Sequence, residues 1–525
     1  MKHVLVLGIA VALVVLVAAP ASAYYVTMSK IGEGTVSPGV GANSYGLFSR
    51  CTIRATPAAG WVFDRWEGEM AGKPNPYSWY VTANKTVSAM FRPSTVTSAN
   101  ALANYVAKYD ASSTGYMFNS GTHVGWTGYQ LNLTSQTWRS SSEVDRPLWT
   151  HDMVMAVPWF RGDDVIYLVN GGSNPTSGPS PDSTIALVCI ALGVTYAQID
   201  QIPNQPLYFT DEPGNQRTED EILAYSLDKA LVTHDMTWPV HVAMTKAAVK
   251  GMDLIQKQDK SLDDFLVIGA SKRGWATWLT TSVDPRVKWI LPIVIDVFKL
   301  PEQVEHHWES YGGYSSAIQD YVDFDLFCRC HNDPWAVSDL ANIVDPYTKI
   351  NKFTMPKFIV NASGDQFFLP DSSRYYLHEL PGQYWLRYMP NKDHYMEGVL
   401  DDYNNLLGIL QWGANMMSGS SNPTYSWYVD GYGQIVVTAN STPNSVKLWQ
   451  ATNPNGRDFR LETVGPIYTS SDLYGSNNVY VGYCPPPAQG WTAYFVELTF
   501  GTQVFTSEIV VTPDVLPFDG MGCYQ

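Results

Sequence analysis

The chain has 525 residues, 45% of them hydrophobic and only 16% charged, with 18 Trp, 32 Tyr and a formal charge of −16. This is a globular composition of a length that suits two to four domains, and its acidity argues against nucleic acid or anionic surfaces as partners. Aromatic residues fill cores first, but so many also suit flat sugar or polymer surfaces.

Lys2 and His3 precede an apolar run from Val4 to Ala19, and Ala21-Ser22-Ala23 is an A-x-A cleavage site. Residues 1–23 therefore read as a signal peptide and the protein as secreted, extracellular or periplasmic. A retained anchor is the alternative, but the run falls short of the roughly 20 residues a span prefers. No later stretch could cross a bilayer, so stable membrane insertion is not expected. Residues 24–92 follow as a small all-β unit. Gly32–Pro38, Ala55–Trp61, Phe63–Trp66 and Ala83–Phe91 alternate apolar residues between Gly and Pro turns. This stretch resembles a divergent InlB-type B-repeat, which implies a spacer or adhesive module. Pro93-Ser94-Thr95 reads as the linker.

Residues 95–420 read as an α/β catalytic domain. Asp164–Asn170 is a buried strand that runs into Gly171-Gly172-Ser173-Asn174. A Gly-Gly turn after an early strand can present backbone N–H groups to an oxyanion, so Gly172 and Ser173 are candidate donors. The alternative is a plain Gly/Ser/Asn/Pro loop. Glu219–Leu231 and Val240–Gln258 carry helical periodicity between strands. Asp264–Leu279 (Asp-Phe-Leu-Val-Ile-Gly-Ala-Ser-Lys-Arg-Gly-Trp-Ala-Thr-Trp-Leu) is the most informative stretch. Its strand stops at Gly269 and a helix begins after Ser271, which is the arrangement of a nucleophile elbow. The usual pattern is G-x-S-x-G, whereas here Arg273 holds the last position and Gly274 follows. An ordinary N-cap serine is the other reading. The N–H of Lys272 would be the further oxyanion donor. Its side chain either adds charge near the oxyanion or lies on the helix surface.

Pro292–Asp296 ends another strand, and Asp296 could face the pocket. Residues about 300–345 are aromatic, polar and irregular, with Trp308, Tyr311, Tyr314 and Trp335. We expect them to form a lid insertion in which Trp308 and Trp335, with Trp275 from the elbow helix, contact substrate. His306, His307 and Glu309 do not form the helical H-E-x-x-H arrangement, so neither a metal nor another cofactor is expected. Lys357–Ala362 reads as a buried strand followed by Asp365, and Tyr384–Met389 as a strand followed by His394. Ser, Asp and His in that order, each just past a strand, match a hydrolase triad. Ser271 would attack, His394 would take its proton and Asp365 would hold the imidazole. Asp371 competes for the acid role but reads better as a helix N-cap. Ser418–Pro423 is a second linker. Residues 424–525 read as a C-terminal β-sandwich that covers the core or, alternatively, binds carbohydrate. Among the cysteines, Cys484 and Cys523 are the expected pair, and one of Cys328 and Cys330 could reach Cys189.

Ser135–Trp138, Pro147–His151, Gly171–Asn174, Gly269–Trp275, Val283–Val287, Gly364–Asp371 and Pro390–His394 run in one order. Together they resemble the PhoPQ-activated pathogenicity-related protein family over roughly residues 100–515. The resemblance implies an α/β-hydrolase core, and Gly-Ala-Ser-Lys-Arg-Gly-Trp explains the displaced glycine. A more distant likeness is to glucuronoyl esterases, which also have a basic residue after the serine. The expected activity is hydrolysis of a carboxylic ester, small or polymeric, with carbohydrate or cell-surface contacts through the flanking β domains. A serine peptidase is the alternative, its mark being an acidic pair for a substrate amine, for which Glu302 and Glu305 are candidates. A secreted binding or signalling protein on the same fold is the third reading.

Overall fold

A computed structural model describes residues 23–57, 61–93, 97–174, 188, 190–396 and 403–520. The signal segment, Cys189 and Cys523 lie outside these residues. The chain divides into two compact units, residues 1–97 and 98–525. No helix among the described residues is long and apolar enough to cross a membrane.

The first unit is all β, as its alternation predicts. Four strands, Gly41–Tyr45, Tyr24–Ile31, Lys85–Pro93 and Trp61–Gly68, form one sheet in that order. Gly34–Ser37, Arg50–Pro57 and Tyr77–Tyr80 form another. Every second residue of Arg50–Pro57 is buried from Cys51 to Ala55, and those side chains meet Val26, Met28 and Trp66 in a core of their own.

The second unit is an α/β-hydrolase fold with added β structure. Its central sheet has nine strands: β1 (Thr114–His123), β2 (Trp126–Thr137), β3 (Leu148–Pro158), β4 (Asp164–Val169), β5 (Thr195–Ile199), β6 (Asp264–Ala270), β7 (Val287–Ile293), β8 (Lys357–Ala362) and β9 (Tyr384–Met389). The spatial order is β9-β8-β7-β6-β4-β5-β3-β2-β1. From β5 to β9 all pairs are parallel, while β1, β2 and β3 join antiparallel. The parallel strands are covered on both faces and so read as continuous apolar runs; β8 is buried at all six residues. By contrast β1 is mostly exposed and polar, which is why its sequence carries no strand alternation.

Helices α2 (Val240–Gln258) and α3 (Lys272–Val283) pack on the sheet, while α1 (Glu219–Thr233) packs on α2 and on the short helices of the insertion. Residues 300–345, expected to be irregular, are helical instead. The insertion opens with α4 (Leu300–Tyr311), started by Pro301 and stopped by Gly312 at φ 69°. Short helical turns follow as far as Val344. Segments of four to seven residues are too short to display a 3.6-residue period.

The C-terminal region forms two sheets. One contains β10 (Tyr425–Val429), β11 (Ile435–Ala439) and β14 (Val479–Gly482). The other contains β12 (Ser445–Asn453), β13 (Thr469–Asp472), β15 (Trp491–Phe500), β16 (Gln503–Thr506) and β17 (Val510–Thr512). It does not have a separate core. Ile435, Tyr494, Leu498 and Phe505 share one apolar cluster with Leu266, Phe358, Trp385 and Trp412 of the catalytic layer. Ser418–Pro423, expected to be a linker, is tied in: the Asn422 amide donates to the Trp412 carbonyl (3.1 Å) and the Trp385 indole donates to the Pro423 carbonyl (2.8 Å).

The expected Cys484–Cys523 bridge is not formed, because Cys484 is a buried free thiol that donates to Gln450 Oε1 at 2.9 Å. Cys328 is disulfide-bonded whereas Cys330 is free.

The shared cluster predicts the fate of truncations. A chain ending at Pro423 would expose Phe358, Trp385 and Trp412 and should be insoluble or should bind a dye for apolar surface. A soluble monomer of wild-type melting temperature would contradict the shared core.

Candidate active site

Parallel strands deliver their loops to one edge of a sheet, and three of these loops converge here. Ser271 lies between β6 and α3 with φ 54° and ψ −129°, a backbone conformation that L-residues rarely adopt. The neighbouring glycines make this turn fit. A Cβ at Gly269 would stand 2.4 Å from the Arg273 carbonyl oxygen, and one at Gly274 would stand 2.7 Å from Ile295 Cγ2. The glycine displaced by one position in the sequence is therefore needed where the helix passes closest to the strand after the elbow.

His394 Nε2 is 2.7 Å from Ser271 Oγ, and its Nδ1 is 3.0 and 2.9 Å from the two oxygens of Asp365. Asp365 also accepts from the backbone N–H groups of Phe367 (2.7 Å) and Phe368 (3.2 Å), which fixes its carboxylate. The His394 N–H donates to Gln366 Oε1 at 3.0 Å, and the Gly364 N–H donates to the Lys392 carbonyl at 2.9 Å. The acid and histidine loops are thus stitched to each other. Ser271, His394 and Asp365, expected to act together, are brought together.

The other sequence candidates separate. Lys272 is the first residue of α3, where backbone N–H groups have no partner within the helix. Its side chain does not reach into open space; it forms ion pairs with Glu219 (3.0 Å) and Asp220 (2.9 Å). Gly171 and Gly172 line the cavity in front of Ser271, but Ser173 does not. A Cβ at Gly171 would stand 2.5 Å from the Arg273 guanidinium, so glycine there makes room for that arginine. Trp275 lines a second cavity and donates from Nε1 to the Val344 carbonyl at 2.6 Å. Trp308 and Trp335 line neither cavity. Trp308 packs on Tyr314 within the insertion, and Trp335 stacks on His234 at the end of α1. Glu302 and Glu305 also lie off both cavities.

Arg273 explains its own place in the motif. It donates to Glu219 through both terminal nitrogens (2.6 and 2.8 Å) and to the Ile202 carbonyl through Nε (2.6 Å). Burial would raise the Glu219 carboxyl, but Arg273 and Lys272 outweigh it and hold it at about 2. Glu219 itself sits at φ 47°. Nothing in a sequence marks a helix-opening Glu as the counter-ion of an elbow 54 residues away.

Two further acids are buried in this region of the fold. Asp296 accepts from Tyr376 and from Asn361 (2.9 Å), and burial pushes it up to about 7. Asp371 is neither the triad acid nor a side-chain cap. It accepts from Arg457 (2.6 Å) and from His306 (2.9 Å), and all three are almost wholly buried. Burial opposes its ionisation, but the charges of Arg457 and His306 outweigh this and hold it well below the usual carboxylate range. His306 and His307, weighed as metal ligands, are thereby occupied, His307 accepting from the Ser315 N–H at 3.0 Å. Among the described residues no group of three metal-type ligands converges. His151 is also structural. Its Nδ1–H donates to the Asp200 carbonyl (3.0 Å), Nε2 accepts from Ser135 Oγ (2.9 Å), and burial lowers it to about 4.

Comparison with known proteins places this geometry in context. Residues 102–460 match the sequence profile of the PhoPQ-activated pathogenicity-related protein family, and residues 24–95 match the divergent InlB B-repeat domain. A relative, autocrine proliferation repressor protein A of Dictyostelium discoideum, is 34% identical over 463 residues, 81% of this chain and 92% of that protein. Similar solved structures include an acetyl xylan esterase from Paenibacillus sp. R4 (14% identity, TM-score 0.42, 60% of this chain and 92% of that one). A glucuronoyl esterase from Solibacter usitatus is another (12% identity, TM-score 0.33, 61% and 92%).

The Asp371–Arg457 pair has a pH-dependent consequence. A carboxyl with a depressed folded pKa stabilises the fold above its unfolded value of about 4, and this is lost as pH falls through the folded value. Arg457→Met removes the main cation from a buried carboxylate, leaving His306 (2.9 Å) and Arg374 (3.4 Å), and should cost up to about 3–5 kcal/mol at neutral pH. The deficit should shrink in acid, as Asp371 of the variant takes up a proton. Urea unfolding of both proteins across pH measures this, and equal stability at neutral pH would remove the anchor.

Proposed function

The chain belongs to the PhoPQ-activated pathogenicity-related protein family, and from that membership and its Ser–His–Asp contacts we propose that it is a secreted serine hydrolase of carboxylic esters. The observation that carries this reading is the 2.7 Å contact from His394 Nε2 to a serine held at positive φ. A buried serine–histidine pair used only for structure has no need of a strained backbone. Secretion is inferred from the N-terminal sequence, Lys2 through Ala23.

In the proposed reaction Ser271 Oγ attacks the ester carbonyl carbon while its proton passes to His394 Nε2. Asp365, bound at Nδ1, keeps the imidazole in the accepting tautomer and stabilises the imidazolium. The oxyanion receives the N–H of Lys272, at the positive end of α3, and the N–H of Gly172. His394 then returns the proton to the alcohol oxygen as the C–O bond breaks, leaving Ser271 acylated. Water, deprotonated by His394, repeats the sequence and releases the acid. Because Glu219 and Asp220 already hold the Lys272 side chain, its backbone alone serves the oxyanion.

The ester reading is favoured over a peptidase by the same ion pairs. Glu219 and Asp220 border the cavity and could grip a substrate amine, but Lys272 and Arg273 neutralise them. 4-Nitrophenyl esters should therefore be cleaved faster than the matching 4-nitroanilides; the opposite order would replace the esterase with a peptidase.

A fluorophosphonate should label Ser271 alone, and Ser271→Ala should lose several orders of magnitude in turnover, as nucleophile removal does in other triads. Asp365→Asn should cost on the order of 10⁴ through loss of tautomer control. Asp371→Asn, assayed on its folded fraction, should cost far less. Full turnover of an aryl ester by Ser271→Ala would end the proposal.

A further inference from the structure

Resting on the hydrolase reading, we infer that the substrate is an ester joining an apolar acyl chain, longer than acetyl, to a polyhydroxylated alcohol such as a sugar or polyol. Two cavities of opposite character meet at the nucleophile. Asp220, Ser271, Lys272 and Phe367 line both of them. One, of about 830 Å³, is walled by Asn170, Gln198, Asp200 and Gln201. The other, of about 550 Å³, is walled by Leu227, Leu300, Val304, Phe327, Val337 and Leu340, from α1 and the insertion. Both fall within the size range of small-molecule sites.

The chemistry decides which half of the ester enters which cavity. The alcohol oxygen must lie within reach of His394 Nε2 to receive its proton. His394 and Tyr395 line only the polar cavity, so the alcohol lies there and the acyl chain extends into the apolar one. The polar cavity offers amide and carboxylate groups that can both donate to and accept from hydroxyls. Its two cations, Lys272 and Arg273, are engaged by Glu219 and Asp220, which leaves no unpaired cation among the described lining residues to attract an anionic alcohol. Asp200, hydrogen-bonded by Asn170 (2.8 Å) and Gln198 (2.6 Å), adds an acceptor on that wall. On the acyl side two buried carboxyls stand at the cavity wall, and both are satisfied within the protein: Asp296 by Tyr376 and Asn361, and Asp345 by the backbone N–H groups of Leu300 (3.0 Å) and Tyr347 (2.8 Å). The apolar chamber is thus suited to hydrocarbon rather than to a charged acid.

Acyl preference is measured with 4-nitrophenyl acetate, butyrate and octanoate, and alcohol preference with glycerol monooctanoate against ethyl octanoate. From acetate to octanoate kcat/KM should rise by at least about tenfold, since even one methylene in a fitted apolar pocket discriminates on that scale. Val337, 57% exposed at the rim, can be enlarged without disturbing the core. Val337→Trp should reduce octanoate turnover far more than acetate turnover. Gln198→Leu should weaken glycerol monooctanoate at least about fivefold more than ethyl octanoate, the scale of a lost hydrogen bond. Acetate turned over as well as octanoate, with Val337→Trp affecting both equally, would overturn the acyl assignment and leave the hydrolase intact. Ethyl octanoate preferred over the glycerol ester would overturn the alcohol assignment alone. A folded protein that cleaves none of these esters would overturn the hydrolase reading and this inference with it.

Discussion

One backbone conformation organises this molecule: residue 271 held at φ 54° between a parallel strand and the helix that follows it. An L-residue in such a region costs of order 1–3 kcal/mol and persists only where its surroundings over-determine it. Here the Ser271 N–H donates to the Ile293 carbonyl (2.8 Å), and the Trp275 N–H donates to the Ser271 carbonyl (3.0 Å). One bond ties the turn to the neighbouring strand and the other starts the helix. Gly269 and Gly274 let strand and helix approach closely enough for both. Because the helix must pass β7 where a side chain at 274 would collide with Ile295, glycine is required at 274, and 273 is free to carry a side chain. Arginine there serves as a strut from the elbow to Glu219, Ile202 and the glycine loop.

The nucleophile belongs to the sheet, but the histidine and acid loops depend on the C-terminal sheets. Asn391 exchanges two hydrogen bonds with the backbone of Tyr468 (2.9 and 2.8 Å), and the Leu461 N–H donates to the Gly364 carbonyl at 2.9 Å. A Cβ at Gly364 would stand 2.9 Å from the Leu461 nitrogen. Further along the same loop Asp371 is anchored by Arg457. The segment 457–468 therefore holds both ends of the acid loop and the turn before His394. Its role is one of position, and it accounts for why the C-terminal sheets share a core with the catalytic layer rather than hanging from a linker.

What the sequence disclosed follows from the range of the forces involved. Lys357–Ala362 and Tyr384–Met389 were legible to the residue because a strand buried on both faces reads as a mostly apolar run, here interrupted only by Lys357, Asn361 and Arg387. Ser271, Asp365 and His394 were legible as candidates because each follows within five residues of the end of a strand. Less legible were the antiparallel strands at residues 114–158, whose outer member is solvated and polar, and the short helices of 300–345. Long-range charge pairing was not legible at all. Asp371 looks like a helix cap because Ser372 and Ser373 follow it, and only the fold brings Arg457, 86 residues away, against it. Trp308 and Trp335 misled for a related reason: partly buried rings can be taken up by neighbouring rings, Tyr314 and His234 here, rather than facing a cavity.

The two basic residues after the nucleophile show how charge is managed at such a site. In the proposed reaction a cation left unpaired beside Ser271 would favour the oxyanion but would also oppose a charged His394 imidazolium. Lys272 and Arg273 are instead matched by Glu219 and Asp220, so the four side chains sum to zero. In the proposed reaction the stabilisation left for the oxyanion is then dipolar, from the backbone N–H groups of α3 and of the Gly171-Gly172 turn, which would need no reorganisation as charge develops. The same matching ties α1 to α3. Because α1 also contributes Leu227 to the apolar cavity, the ion pairs that neutralise the elbow also tie Ser271 to that wall of the cavity.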